Sequence, residues 1–587
     1  MKSKNTFYLI FLIFGLSSFI SCDFSKYIKA EKKFDFNTTF EKSNGSKTAT
    51  YQEVITFYQN LAQQFPSVSI REMGFSDSGK PLHLVLYNPN AEFTPSAFQE
   101  KQVILINNGI HPGETDGIDA SMMLFRDLAQ NKIDTPKNTI VATIPIYNIG
   151  GALNRNKYSR TNQNGPEAYG FRGNAKNYDL NRDFIKADSR NALGFTKIFH
   201  YLDPAIFIDN HVTNGANYQY TLTHLITQEQ KLDGPLGRFL KNEFQQEIKT
   251  KLGSKNWDVT PYVNIFGKTP EQGFDQFLDL PRYSVGYASL FNTLGITVET
   301  HMLKDYKKRV QATYDYMLSC LEISEEYPQQ INRLKEKNTE FHQNKKWHKT
   351  NFKSDKSISS TLLFKGFKSY IQKSEVTGLD QLYYDDSQPY TKEIPFYNHY
   401  IAKDSIRVPK AYLIPQAWQG VIARLKANEI ILKPAQKDTL LEVTAYRVID
   451  FKTLNKPFEG HYLHYETKIH KKKILKQVRK GDIWVPARQP GINYILETLE
   501  PTAPDSFFNW NFFDSILQQK EHFSSYVFDQ TAAKLLRKNP DLKRAFEAKK
   551  AANPDFKASA YQQLDWLHKQ SKHYEKAHLL YPIFRLE

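Results

Sequence analysis

Gly109–Gly117 reads GIHPGETDG, with His111 and Glu114 three residues apart. An imidazole nitrogen and a carboxylate oxygen so placed can reach one metal ion, and both donors suit zinc. Ahead of them Val103-Ile104-Leu105-Ile106 is an apolar run that reads as a buried strand. Behind them Ile118 to Leu128 carries apolar residues near helical spacing. The two side chains therefore sit on the turn leaving a strand, the usual place for a site in an open α/β sheet. A polar loop between strand and helix could hold the same two residues, so the stretch needs partners elsewhere.

Those partners follow in order along the chain. Ala205-Ile206-Phe207-Ile208 is a second short apolar run, and Asp209-Asn210-His211 follows it. His211 can supply a third donor, and three protein donors leave a position open, the mark of a catalytic rather than a structural zinc. Gly295-Ile296-Thr297-Val298-Glu299 is a third short strand ending in a carboxylate. Beside a metal such a carboxylate can take a proton from water and hand it on. Between the first two segments lies Asp179-Leu180-Asn181-Arg182-Asp183-Phe184, which brings a fixed cation and an amide. Upstream of it Arg160 stands in SRTNQNGP.

This order, His-x-x-Glu, an arginine, an Asn-Arg pair, a single His and then a Glu, resembles the zinc carboxypeptidase family over Tyr51 to Leu318. The resemblance implies a mixed eight-stranded sheet flanked by helices. It implies one zinc per chain, held by His111, Glu114 and His211. It implies that Asn181 and Arg182 hold the terminal carboxylate of a peptide, that Arg160 polarises the scissile carbonyl, and that Glu299 is the base and then the acid. Hydrolysis of a C-terminal peptide bond by metal-activated water follows from these roles. Arg155 competes for the Arg160 role, but RTNQNG precedes the Asn-Arg segment as the family pattern does. The family also carries a substrate-capping tyrosine before the glutamate; Tyr283 and Tyr287 are both candidates, and the sequence does not choose. Terminal side-chain preference is expected within Leu280–Thr293, where Arg282 either enters the pocket or faces solvent. His301, on the same strand face as Glu299, is expected to play a supporting role.

The chain opens MKSKNTFYLIFLIFGLSSFISC. Lys2 and Lys4 precede an apolar core, Phe7 to Ile20, of signal-peptide length and too short for a comfortable membrane span. The run FISC resembles a bacterial lipoprotein signal, in which Cys22 is acylated; plain cleavage beside an ordinary cysteine is the other reading. The resemblance implies an exported enzyme held at the periplasmic or outer face of a membrane through lipid on Cys22. Cys320 is the only other cysteine, so no disulfide framework exists and the core must hold the fold.

With 587 residues the chain is long enough for more than one domain. Residues 23–47 are polar and read as a tether, and 48–345 as the catalytic domain, in which strands alternate with helices as in an α/β sheet. Helices are expected at Val54–Phe65, Ser189–Leu202 and Pro235–Leu252, and strands at Thr139–Tyr147 and Tyr262–Phe266. Asn148 to Lys176 is a long loop, read as functional because it carries Arg160. Residues 346–357 read as a charged linker, 358–503 as a β-rich region with short runs such as Ile430–Leu432, and 504–587 as helical. The aromatics of PDSFFNWNFFDSIL read as core. Net charge is +16, yet the basic residues are mixed with acidic ones. The densest cluster, His470 to Lys480, reads as a solvated hairpin, and no nucleic-acid module is visible.

Three other functions share parts of this pattern: an amidohydrolase acting on N-acyl amino acids, a hydrolase of cell-wall stem peptides, and a catalytically dead binding protein. The complete set of His111, Glu114, His211 and Glu299 argues against the last.

Overall fold

The computed structural model describes residues 34–587. The signal segment, Cys22 and the first part of the tether lie outside the described residues. From Asn37 onward the chain forms one compact unit. No helix among the described residues is long and apolar enough to cross a membrane.

Eight strands form the central sheet: β1 (Val68–Phe75), β2 (Pro81–Tyr87), β3 (Gln102–Asn107), β4 (Thr139–Ile144), β5 (Ile206–Thr213), β6 (Leu222–Ile226), β7 (Val259–Pro261) and β8 (Leu294–His301). Their spatial order is β1-β2-β4-β3-β5-β8-β6-β7. The four central strands β4, β3, β5 and β8 run parallel, while β1, β2 and β6 pair antiparallel to their inner neighbours. Every residue of β3, β4 and β5 is buried. That is the reason each carries a continuous apolar stretch, such as Val103–Ile106 and Ile206–Ile208, with no alternating polar side: a parallel strand is covered on both faces. The helix Asp116–Ala129 packs on Tyr51–Gln64 and Tyr306–Glu326, and Arg190–Leu202 packs on β1 and β2. This is the mixed sheet flanked by helices that the motif order implied.

Local chemistry sets the element ends. Thr50 and Glu53 form a capping box at the start of Tyr51–Gln64, and the Ser189 side chain caps Arg190–Leu202. The expected helix over Pro235–Leu252 is there, divided by a single π turn at Leu240–Phe244. Tyr262–Phe266 is not a strand. The strand is Val259–Pro261, and the residues after Pro261 leave the sheet to run along a cavity.

Two segments expected to be loosely held are folded onto the body. In the tether, Thr39–Lys42 is a short helix with its own capping box. Phe40 meets Tyr306 edge-on at 5.6 Å, and Glu41 pairs with Arg126 at 2.6 Å. In the expected linker, Trp347–Ser354 is a strand paired with Tyr400–Arg407. Lys349 and Lys353 on it are exposed, but His348 and Thr350 are buried and both contact Glu497.

The β-rich region contains two long hairpins, Ser360–Lys373 with Asp380–Tyr397 and Thr439–Thr453 with His464–Val478. The first is extended by Phe274–Asp275 of the catalytic part, which pairs with Phe396-Tyr397. The second belongs to a six-stranded sheet that the last strand, Phe584–Leu586, enters beside Ala411–Ile414. Ile430–Leu432 is not a strand; pairing starts at Lys433. PDSFFNWNFFDSIL is not a regular helix but a run of turns ending in the 3-10 turn Asp514–Leu517. Its Phe507, Phe508, Trp510 and Phe513 are fully buried, as a core stripe is. Beyond it the helices Ser525–Lys538, Pro540–Ala552 and Ala560–Lys569 close around Phe528, Phe546, Phe556 and Leu567.

The chain end is pinned by a buried pair. Arg585 and Glu500 are each at most 2% exposed and lie 2.7 Å apart. Removing one partner of such a pair strands the other charge, at a cost of about 3–5 kcal/mol. Glu500→Ala should therefore lower the denaturation midpoint strongly. Asp450→Ala, which breaks an exposed 2.8 Å pair with Lys468, should leave it within error. Equal midpoints for the two variants would remove Glu500 from this role.

Candidate metal centre and active-site cavity

The turn after β3 brings His111 and Glu114 together, with the Glu114 amide donating to the His111 carbonyl at 2.8 Å. Gly109 (φ +64°) makes the left-handed bend that only glycine enters without strain. Gly117 lies so close to β5 that a Cβ there would meet the Asn210 Cβ at 2.4 Å. Glycine thus lets the helix Asp116–Ala129 begin directly beside the strand that carries His211.

His111 Nδ1 lies 3.2 Å from Glu114 Oε1, and His211 Nδ1 lies 3.2 Å from Glu114 Oε2. One donor atom from each of the three residues falls within 4.8 Å of the others, and all three residues are buried. Each imidazole has a carboxylate behind it: Asp179 Oδ1 lies 2.9 Å from His111 Nε2, and Asp209 Oδ2 lies 2.9 Å from His211 Nε2. That arrangement presents both Nδ1 atoms to the same point, and it is how histidine ligands of a metal are held in orientation. Two imidazoles and a carboxylate, with room left for a fourth group, fit a catalytic zinc. Burial works against a charge on His211, but Asp209 and Glu114 outweigh it and hold its pKa well above the usual histidine range.

Strand register places the next residue. His211 on β5 pairs with Glu299 on β8, and both side chains face one cavity of about 400 Å³. Desolvation pushes the Glu299 carboxyl up to about 8; His211 and Arg172 oppose the shift, and Glu114 and Asp209 reinforce it. A carboxyl with its pKa near neutrality is suited to taking and returning a proton.

Asn181, Arg182, Arg160 and Tyr283 line the same cavity. Asn181 and Arg182 sit on the 3-10 turn Leu180–Arg182, opened by the Asp179 side chain accepting from the Asn181 amide at 2.9 Å. The Arg182 guanidinium stacks over the Tyr283 ring at 4.6 Å. Arg160 Nη1 reaches Glu114 Oε1 at 2.8 Å. Arg155 donates instead to the Thr48 carbonyl at 2.9 Å and is not part of the cavity wall.

Several expected positions fall elsewhere. Tyr287 is fully buried among Phe199, Phe291 and Tyr494, with its hydroxyl donating to Asn428 Oδ1 at 2.6 Å. Of the two tyrosines, Tyr283 is the one that lines the cavity. Arg282 takes neither expected course: it pairs with Asp505 at 2.7 Å and stacks on Trp510. His301 contacts the Ala216 carbonyl at 3.0 Å and packs on Tyr218.

Arg172 and Tyr262 are among the cavity residues that the sequence reading did not single out. Arg172 Nη1 lies 3.7 Å from Glu114 Oε1, while its Nη2 donates to Asp179 Oδ2 at 2.8 Å. Its signal was its place in the long loop just before the Asp179–Phe184 run. Tyr262 also lines the cavity, its hydroxyl pKa raised by burial and by Glu299. Nothing in its local sequence marks it.

Residues 54–204 match the family model described as zinc carboxypeptidase. The match includes His111 and Glu114 and ends before His211 and Glu299. Among solved structures, the chain is similar to a metallo-carboxypeptidase from Burkholderia cenocepacia at 19% identity, covering 47% of this chain and 69% of that one, with a TM-score of 0.34. It is similar to carboxypeptidase A from Helicoverpa armigera at 15% identity, covering 48% and 74%, with a TM-score of 0.36. It is similar to a metallo-carboxypeptidase from Pseudomonas aeruginosa at 15% identity, covering 47% and 70%, with a TM-score of 0.35. No curated protein matches the chain.

Two outcomes test the centre. His211→Ala should lose the metal that the wild-type protein retains on gel filtration, measured by elemental analysis. In protein stripped with a chelator, zinc uptake should release protons, because ligand imidazoles must be neutral. Calorimetry in buffers of different ionisation heat reads that release; heats independent of buffer would contradict it.

Proposed function

We propose that this chain, whose residues 54–204 match the zinc carboxypeptidase family model, hydrolyses the last peptide bond of substrates ending in a free carboxylate. The observation that carries the reading is the shared cavity. The His111, Glu114 and His211 cluster, the Glu299 carboxyl and the Asn181-Arg182 pair all line it. A metal, a proton carrier and a carboxylate receptor in one cavity suit a bond close to a free chain end.

The residues divide the work by charge. His111, Glu114 and His211 would hold zinc, which supplies Lewis-acid polarisation and lowers the pKa of water. Glu299 accepts the proton of the attacking water and returns it to the departing amine. Arg182 offers a planar fork that matches a carboxylate in two hydrogen bonds, which a lysine cannot do. Asn181 adds an amide donor; its Oδ1 already accepts from the Ser284 amide at 3.2 Å, which leaves its nitrogen free to point inward. Arg160 and Arg172 both bring a guanidinium to the Glu114 side of the cavity. Either can stabilise negative charge that develops on the carbonyl oxygen. The Tyr283 ring beneath Arg182 fixes the plane of the receptor and covers one side of the bound terminus.

Asp279 also lines the cavity, with its carboxyl raised by burial and held 2.9 Å from Lys231. Ser284, Val285 and Thr297 complete that side. These residues surround the position for the terminal side chain.

The test compares a peptide with its C-terminal amide. A polar site rejects an analogue lacking its partner by as much as about 10⁴-fold. The free acid should react far faster, and Arg182→Ala should slow the acid while leaving the amide unchanged. Equal wild-type rates on both would end the exopeptidase reading. Separately, Glu299→Gln should retain zinc and lose about 10²–10⁴-fold in turnover; a wild-type rate in that variant would exclude Glu299 as the base.

A further inference from the structure

The β-rich region reaches the active-site wall through one tight turn. Phe458 and His461 exchange backbone hydrogen bonds, at 2.7 and 3.1 Å, across Glu459 and Gly460. Both central residues have positive φ, 50° at Glu459 and 81° at Gly460, the geometry of a two-residue hairpin turn. At the tip, Glu459 Oε2 accepts a hydrogen bond from the Asp179 backbone amide at 2.7 Å.

Asp179 is the junction of the cavity wall. Its Oδ1 faces His111 Nε2 at 2.9 Å and accepts from the Asn181 amide at 2.9 Å. Its Oδ2 accepts from Arg172 Nη2 at 2.8 Å. The backbone of the residue that sets these three contacts is thus tied to a side chain 280 positions later in the chain. The turn is clamped on either side. His461 Nε2 lies 2.7 Å from Asp188 Oδ2, and Arg282, next to Tyr283, stacks on the Phe458 ring at 5.6 Å and pairs with Asp505 at 2.7 Å. The segments that carry Asn181, Arg182 and Tyr283 are therefore braced from outside the catalytic sheet.

We propose that the turn Phe458–His461 is part of the frame of the active site, and that Glu459 is a positioning residue for carboxylate recognition. By accepting from the Asp179 amide it holds the Asp179–Arg182 turn at the height where Asn181 and Arg182 meet a substrate's terminal carboxylate. The proposal rests on the carboxylate-binding reading of Asn181 and Arg182. It gives the C-terminal region a function that the catalytic part cannot perform by itself: keeping the receptor in register with the metal centre.

The experiment uses the full chain and two readouts. Hydrogen–deuterium exchange over the peptide containing Asp179 reports the bond itself, whether or not any substrate is cleaved. Kinetics on a free-acid peptide and its amide report the consequence. Glu459→Ala should speed exchange at Asp179 and raise KM for the free acid about tenfold, the loss expected for one hydrogen bond to a charged group. The amide rate and the zinc content should be unchanged. Glu459→Gln keeps an acceptor oxygen and should restore both exchange and KM. Glu466→Ala, which breaks an exposed pair with Lys452, should match wild type. If Glu459→Ala does not fold, Glu459→Asp withdraws the oxygen while keeping the charge and carries the same comparison. Unchanged exchange, an unchanged KM, or equal losses on acid and amide would each overturn the proposal. A wild-type protein that cleaves neither substrate but loses Asp179 protection in Glu459→Ala would instead fault the carboxypeptidase reading.

Discussion

Everything at the site depends on the parallel register of β3, β5 and β8. Ile106 and Asn107 lie opposite Ile208 and Asp209, and His211 lies opposite Glu299. Parallel strands end at the same edge of a sheet, so residues far apart in sequence emerge side by side there. The register also places the supports. Asp209 sits two residues before His211 on the same strand face, and its other oxygen accepts from Asn107 Nδ2 at 2.9 Å. The sheet thus carries His211 and Glu299 directly, and Asp209 fixes the angle of the His211 ring.

A buried cluster of this kind is costly wherever a charge is left unpaired. Glu114, Asp179, Asp209 and Glu299 stand among Arg160, Arg172, Arg182 and two histidines, and the balance is uneven by design of the chain. Asp179, despite its burial, is held far below the usual carboxylate range by His111, Arg172 and Arg182. Glu299 is pushed the other way, to about 8. Neighbouring carboxyls whose surroundings drive their pKa values apart are a recurring sign of divided roles, one structural and one that exchanges protons.

The parts legible in the sequence were those written in local pattern. Short, largely apolar runs marked β3, β5 and β8, and His111, Glu114, His211 and Glu299, which follow those runs, converge in one cavity. Arg172 and Tyr262 were not legible because a loop has no periodicity to say which way a side chain points. Tyr287 read as well as Tyr283 because both precede the same strand; only packing separates a ring among Phe199 and Phe291 from one beneath Arg182. The supposed linker 346–357 was misjudged because His348 and Thr350 are polar, and their burial against Glu497 is a long-range contact. Glu459 could not be found at all, since its partner is a backbone amide that any residue would offer.

On the reading proposed above, this cavity removes residues from a free chain end. Mass spectrometry of the products from a mixture of unblocked peptides tests it most directly. The expected products are a ladder of fragments that share the intact N-terminus and are shortened from the C-terminus one residue at a time, abolished by a zinc chelator. Internal cleavage, or fragments lacking the original N-terminus, would contradict it.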